Sequence, residues 1–340
     1  MGDTMDDAER DRRAARQRFA GFVATLGRGP GRSRALTRAE ARAAMAMVLA
    51  GQADPHQVGA FLMLLRYRGE DADELAGLVE AARDAAGLPH PGLRADLDWP
   101  SYGSGKTRGA PWFLLAALAL ARAGVRVLMH GSNSFSGGIQ VETALPTLGL
   151  APAGSLADAA DKLDAENFAY LPLRAIAEKF DDLLELRRLF GLRSPVNTAA
   201  RLLDPGQAGA GVDGVFHPPY IAVHLGVAER LGRPRLLVLK GAGGEAERTP
   251  AKPGIAYVWD GTARHEFLLS ATDLPAAAPS LETLETFAAV WHGQAAPPRP
   301  LATISATIGL ALLALGRAAD PGDAAAVWRA RFTKDVARAP

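Results

Sequence analysis

The 340-residue chain is 48% hydrophobic and 22% charged, a composition that supports a full core in one large domain or two and excludes disorder except at the ends. Its lack of cysteine excludes a disulfide framework and cysteine-ligated zinc or iron–sulfur centres, and suits a reducing cytoplasm. A formal net charge of +1 gives no global drive toward nucleic acid or membrane, so any such attraction must come from local clustering.

The N-terminus, Met1 to Glu9, is acidic and lacks the apolar segment of a signal peptide. From Arg10 to Arg38, nine arginines (Arg10, Arg12, Arg13, Arg16, Arg18, Arg28, Arg32, Arg34, Arg38) face one acid, Asp11, which makes a basic arm on a near-neutral body. Phe19, Phe22, Val23 and Leu26 recur at spacings of three and four, so residues 1–30 are expected to form a charged helix with one apolar face. Thr37 with Glu40 forms a capping box, and apolar positions then continue to Leu49. Asp54-Pro55 opens a further helix through Val58, Phe61, Leu62 and Leu65, and Asp71 to Glu74 opens another that ends near Gly87.

From Ala95 the pattern changes to strands alternating with glycine-rich loops and helices. Strands are expected at Val125–Met129, Val212–Phe216 and Leu236–Lys240, with a strand pair at Ile255–Trp259 and His265–Leu269. Helices are expected at Ser155–Leu163, Leu173–Phe190 and Pro218–Leu231, then near 281–292, 301–317 and 322–333, with Ala295 to Pro300 as a short linker. The apolar runs at Ala110–Ala121 and Leu301–Leu315 are too short to span a bilayer. The expected fold class is α/β: a small N-terminal helical domain and a mostly parallel sheet flanked by helices. We divide it as a basic arm or helix at 1–35, a helical domain at 36–92 joined by part of 170–200, and an α/β domain at 93–340.

Two loops carry the candidate chemistry. Gly103, Ser104, Gly105, Lys106 and Thr107 follow a strand and precede a helix, so backbone N–H groups, the helix's positive end and a lysine could hold an anion. His130, Gly131, Ser132 and Asn133 follow the next strand, placing both loops at one sheet edge. The nucleotide P-loop would need glycine where Pro100 stands, so a P-loop NTPase is disfavoured. The plainer alternative is a strand-to-helix turn with a solvated lysine. The seven histidines show no zinc-binding spacing.

The helical opening Leu36-Thr-Arg-Ala-Glu-Ala, Val58 to Glu70 and Glu74-Leu-Ala-Gly-Leu-Val, with Arg187 to Asn197 and Gly214-Val-Phe-His-Pro, resembles the anthranilate phosphoribosyltransferase and pyrimidine nucleoside phosphorylase superfamily, glycosyltransferase family 3, over roughly residues 36–335. Family enzymes hold phosphoribosyl pyrophosphate with Gly-Thr-Gly-Gly-Asp-Gly and an Asn-x-Ser-Thr helix start, and bind metal through an Asp-Glu pair. Here those positions carry Gly103 to Arg108, then Trp112 and Phe113, and Ala246-Glu247; Lys-His-Gly-Asn becomes Met129-His130-Gly131-Ser132. Pro100-Ser-Tyr and Gly243-Gly-Glu-Ala-Glu look like the YbiB-like branch, for which the resemblance implies a retained transferase fold, a homodimer and nucleic-acid binding in place of tryptophan synthesis.

The resemblance thus implies a sequence-tolerant DNA- or RNA-binding homodimer with no membrane partner. Arg12, Arg13, Arg16, Arg28, Arg32, Arg34, Lys106, Arg108 and Arg187 would meet phosphates, and salt would weaken the contact. No cofactor is required on this view; residual phosphate binding, or magnesium at Glu247 with Glu245 beside it, stays open. If transfer persists, the Gly103–Thr107 loop would hold pyrophosphate, His130, Gly131 and Asn133 would border the acceptor, and Arg187 would face an anionic acceptor. The alternative function is therefore an active phosphoribosyl or pentosyl transferase, or a phosphorylase, acting on an aromatic or nucleobase acceptor.

Overall fold

The computed structural model describes residues 7–29, 31–103, 109–132, 134, 137–278, 282–317 and 321–332. Two compact units emerge: residues 1–88 with 177–203, and residues 89–176 with 204–340.

The helical unit contains α1 (Asp7–Gly27), α2 (Arg38–Leu49), α3 (Pro55–Arg68) and α4 (Ala72–Ala85). Each of the last three begins where local chemistry dictates. Thr37 with Glu40, Asp54 with Gln57 and Asp71 with Glu74 close reciprocal capping boxes, and Pro55 occupies a first-turn position where its missing N–H costs nothing. Phe19 and Leu26 of α1 are buried, and the Phe19 ring meets Phe61 of α3 edge-on at 5.5 Å. Gly77 lets α4 approach α2, since a Cβ there would lie 2.4 Å from the Arg38 carbonyl oxygen. The expected helix Leu173–Phe190 is instead broken into Leu173–Ile176, Glu178–Glu185 and Arg187–Phe190. Ala177 adopts φ −152° and ψ 89°, and the break falls where the chain passes from one unit to the other. Lys179 donates to the Leu49 carbonyl at 2.9 Å, and Arg83 to that of Leu203 at 2.7 Å, tying the inserted segment to α2 and α4.

The second unit is built on a seven-stranded sheet of order β3-β2-β1-β4-β5-β6-β7. Its strands are β1 (Leu97–Ser101), β2 (Val127–Gly131), β3 (Phe168–Pro172), β4 (Ala210–Val215), β5 (Leu236–Lys240), β6 (Gly254–Trp259) and β7 (Arg264–Leu269). The first five are parallel; β6 and β7 join antiparallel at one edge. Strand β3 was not expected from the sequence. Its five residues alternate no polarity, because its first four positions are all buried.

Helices α5 (Trp112–Arg122), α6 (Leu156–Glu166), α7 (Pro219–Arg230), α8 (Leu284–Trp291), α9 (Pro298–Ala314) and α10 (Pro321–Ala330) flank the sheet. From Trp112 to Ala121 every residue of α5 is buried, and α9 packs against it. The expected linker at Ala295–Pro300 extends only to Pro297: Pro298 and Pro300 sit in the first turn of α9, where proline needs no hydrogen-bond partner. Among the described residues no helix is long and apolar enough to cross a membrane.

Candidate anion site at the strand ends of the sheet unit

The strand order reverses direction between β1 and β4, so their carboxyl ends open the crevice where doubly wound sheets bind ligands. Gly103 lies there, after β1. Ser104, Gly105, Lys106, Thr107 and Arg108 lie outside the described residues, as does Asn133; His130 and Gly131 end β2 one register step apart, opposite Pro100 and Ser101.

The loop after β5 crosses this crevice because glycines leave room for it. A Cβ on Gly214 would lie 2.1 Å from the Glu245 carbonyl oxygen, and one on Gly241 would collide with the same carbonyl. The crossing places two buried carboxylates at the strand ends. Glu245 accepts the Gly103 N–H, and Glu247 Oε2 accepts the Phe113 N–H at 3.0 Å. Glu282 joins them, accepting the Ala110 N–H at 2.7 Å and the Trp112 indole N–H at 3.1 Å. Pro111, the residue before α5, offers no side-chain cap. Glu247 therefore does the work of the missing cap on Phe113, while Glu282 fastens the turn before the helix through Ala110 and the Trp112 indole, and both charges lie at the positive end of the helix.

Beneath the crevice runs a buried polar chain. Tyr102 Oη lies 2.9 Å from His130 Nδ1, His130 Nε2 lies 3.2 Å from Asp98 Oδ1, and Arg233 Nη2 donates to Asp98 Oδ2 at 3.0 Å. Arg233 also approaches Asp204 at 3.5 Å, and a second buried pair, His224 and Asp213, closes to 2.6 Å. Burial by itself would raise the Asp98 carboxyl. The charges of Arg233 and His130 outweigh it and hold that carboxyl below the usual range. Burial would likewise lower Arg233, but Asp204 and Asp98 raise it. Tyr170 on β3 is pushed well above the ordinary phenol value by burial and by Glu142, whose Oε1 accepts its hydroxyl at 3.2 Å.

Asp98, Tyr102, Arg233 and Glu282 were not among the residues picked out by sequence. A charged residue inside the apolar run Leu97-Asp98-Trp99 is itself a signal, since an isolated carboxylate there would be costly. Glu282 gives no local signal, standing 170 positions from Trp112.

The arginines of the helical unit divide into two groups. Arg12 pairs with Glu9 at 2.8 Å, Arg16 with Asp54 at 3.7 Å and Arg34 with Glu40 at 2.6 Å. Arg34 and a capping bond from Thr37 hold the Glu40 carboxyl down at about 2. Arg13, Arg28 and Arg32 are exposed and make no ion pair among the described residues. Arg187, half-buried and already engaged, belongs to this unit, whereas Gly103, His130, Gly131 and Glu247 belong to the other.

The helical bundle domain of the glycosyl transferase family matches residues 22–86. Anthranilate phosphoribosyltransferase of Parasynechococcus marenigrum (strain WH8102) is 32% identical over 253 residues, covering 74% of this chain and 72% of the relative. The uncharacterized protein YbiB of Escherichia coli (strain K12) is 28% identical over 240 residues, covering 68% and 73%. Among solved structures, anthranilate phosphoribosyltransferase of Thermus thermophilus superposes with a TM-score of 0.73 at 23% identity over 93% of this chain and 94% of that one. The Saccharomyces cerevisiae enzyme in complex with PRPP and Mg gives 0.73 at 15% identity over 92% and 93%. At these identities the two structures speak to fold alone.

Proposed function

This chain belongs to the glycosyltransferase family 3, anthranilate phosphoribosyltransferase-like superfamily, and from that premise we propose that it keeps the family scaffold without the phosphoribosyl pyrophosphate and magnesium machinery, and acts as a sequence-tolerant nucleic-acid-binding homodimer. The observation that carries this reading is the capping of α5 by Glu247, with Glu282 seated on the backbone two residues before the helix. A helix start beside a glycine turn is a ready-made phosphate site because its N–H groups lack partners. Here one carboxylate already accepts from the first turn of the helix and another from the turn leading into it, so a pyrophosphate would meet anions at hydrogen-bond distance from the donors it needs.

The same contacts disfavour a divalent ion. Magnesium takes near-octahedral oxygen ligands and is held through carboxylates facing the substrate. Glu245 and Glu247 instead accept backbone N–H groups, and among the described residues no cluster of three or more His, Asp or Glu side chains could hold a metal. On this reading Glu245 and Glu247 serve the backbone and not a magnesium–pyrophosphate site.

Phosphate contact would fall to exposed arginines. Arg13, Arg28 and Arg32 need break no ion pair, whereas Arg12, Arg16 and Arg34 would exchange a carboxylate for a phosphate. Lys106 and Arg108 would add charge from the glycine loop, and Arg187 from its helix. A dimer doubles the set. The test is a gel-shift and anisotropy series on random-sequence DNA and RNA: sub-micromolar binding that weakens steeply with salt is expected, because counterion release supplies the affinity. Absence of retardation at low salt would remove the proposal.

The second reading, an active transferase, draws support from the 32% identity to an anthranilate phosphoribosyltransferase and from the His130–Gly131 pair at the end of β2. Calorimetry with phosphoribosyl pyrophosphate and magnesium separates the two readings. Binding heat together with turnover of an aromatic acceptor would establish the transferase.

A further inference from the structure

At the opposite edge of the sheet from β3, a cavity of about 670 Å³ opens between β7 and α9. Its walls are mostly apolar, with Phe267 and Leu268 on the strand and Ala302, Ala306 and Gly309 on the helix, interrupted by the hydroxyl residues Ser270, Thr272 and Ser305. The space is open on the helix side, since a Cβ on Gly309 would meet nothing within 4 Å, and Leu268 is 84% exposed. Among the described residues one charged side chain lines the cavity. Arg248 is only 7% exposed, with Nη1 donating to the Thr249 carbonyl at 2.7 Å and Nη2 to those of Lys252, Leu269 and Ser270 at 2.6, 3.2 and 3.1 Å.

Those four carbonyl contacts hold the guanidinium in place but leave its charge uncompensated, because carbonyl dipoles carry no net charge. Among the described residues Arg248 has no carboxylate partner. Buried charges are ordinarily paired, and this one stands against an apolar wall of low dielectric, where an anion would be drawn strongly. The volume falls within the range of roughly 300–1,000 Å³ typical of small-molecule sites, and a mostly apolar lining with a few fixed polar groups is their usual make-up.

We propose that this cavity binds a small amphiphilic organic anion, its apolar body lying between α9 and β7 and its carboxylate against Arg248. The site belongs wholly to the sheet unit and does not depend on the nucleic-acid reading. Octanoate below its micellar concentration serves as probe, with octanol and octylamine as neutral and cationic matches of the same chain length, each titrated calorimetrically into the full-length protein.

Octanoate should bind at least tenfold tighter than octanol, and octylamine not measurably. Gly309→Leu, which fills open space on a helix, should abolish octanoate binding with the melting temperature held or raised. Arg248→Met should erase the preference for octanoate over octanol. If Arg248→Met fails to fold, the ligand series and Gly309→Leu decide the matter. Equal affinity for octanoate and octanol, full octanoate binding by Gly309→Leu, or no binding of any probe would overturn the proposal.

Discussion

Asp98 stands in the middle of β1 with one oxygen toward Arg233 and the other toward His130, all three fully or nearly fully buried. Replacing it with asparagine keeps the shape and removes one of the two carboxylates beside Arg233, leaving Asp204 at 3.5 Å. Breaking a buried pair costs about 3–5 kcal/mol when the remaining charge is left uncompensated, and Asp204 offsets part of that here, so a loss of up to about 3 kcal/mol is expected. Urea denaturation at neutral pH should show that loss in Asp98→Asn. The carboxyl's folded pKa is depressed, so its stabilisation is fully present above the unfolded value of roughly 3.9 and disappears as pH falls through the lower folded value. The wild-type protein should therefore lose stability steeply on the acid side, and Asp98→Asn should show a flatter acid limb. Glu247 is the other residue whose role one substitution exposes. Glu247→Ala removes a helix cap and should lower stability by about 0.5–2 kcal/mol. The shape-preserving double variant Glu247→Gln with Glu282→Gln should gain stabilisation by added inorganic phosphate that the wild type lacks. Phosphate stabilising both proteins alike would show that the two carboxylates do not guard the helix start.

At the scale of elements, the close approach of α2 and α4 rests on Gly77. Gly77→Ala would drive a methyl into the Arg38 carbonyl and the Arg42 amide, both of them backbone groups that cannot swing aside. Overpacking of this kind costs about 1–3 kcal/mol, and the urea midpoint of the helical unit should fall accordingly. A gain in stability from the added helix propensity of alanine would contradict the packing seen here. The helices of this unit were legible in the sequence because their signals are local: Thr37, Asp54 and Asp71 each carry their partner three positions on. Strands β5, β6 and β7 were legible too, bounded by glycine or turn residues. Strand β3 was not, for a short buried strand shows no alternation, and neither was the break at Ala177, because alanine carries no turn signal. The site divides in the same way. Gly103, His130 and Gly131 stand out as loop residues, whereas the carboxylates that accept from Gly103, Ala110 and Phe113 come from the loop after β5 and from the segment before α8, contacts that only the tertiary fold creates.

For the whole molecule, a net charge of +1 conceals an uneven distribution. Many arginines of the helical unit are spent locally: Arg34 on Glu40, Arg38 on Glu80 and Arg42 on Asp84 brace α2 and its neighbours. Such exposed pairs are each worth little for stability, yet they lower the positive charge offered to a polyanion. Arg13, Arg28 and Arg32 keep theirs. Converting these three to glutamine should leave the fold intact, since surface changes away from such pairs usually stay within about 0.5 kcal/mol. Nucleic-acid affinity should fall by a similar factor for every sequence tested, and the slope of log affinity against log salt should shrink by about one for each phosphate no longer neutralised. A loss confined to one sequence would point to base recognition instead of backbone contact. An unchanged slope would mean that the affinity comes from elsewhere, with Lys106 and Arg108 of the glycine loop the next residues to substitute.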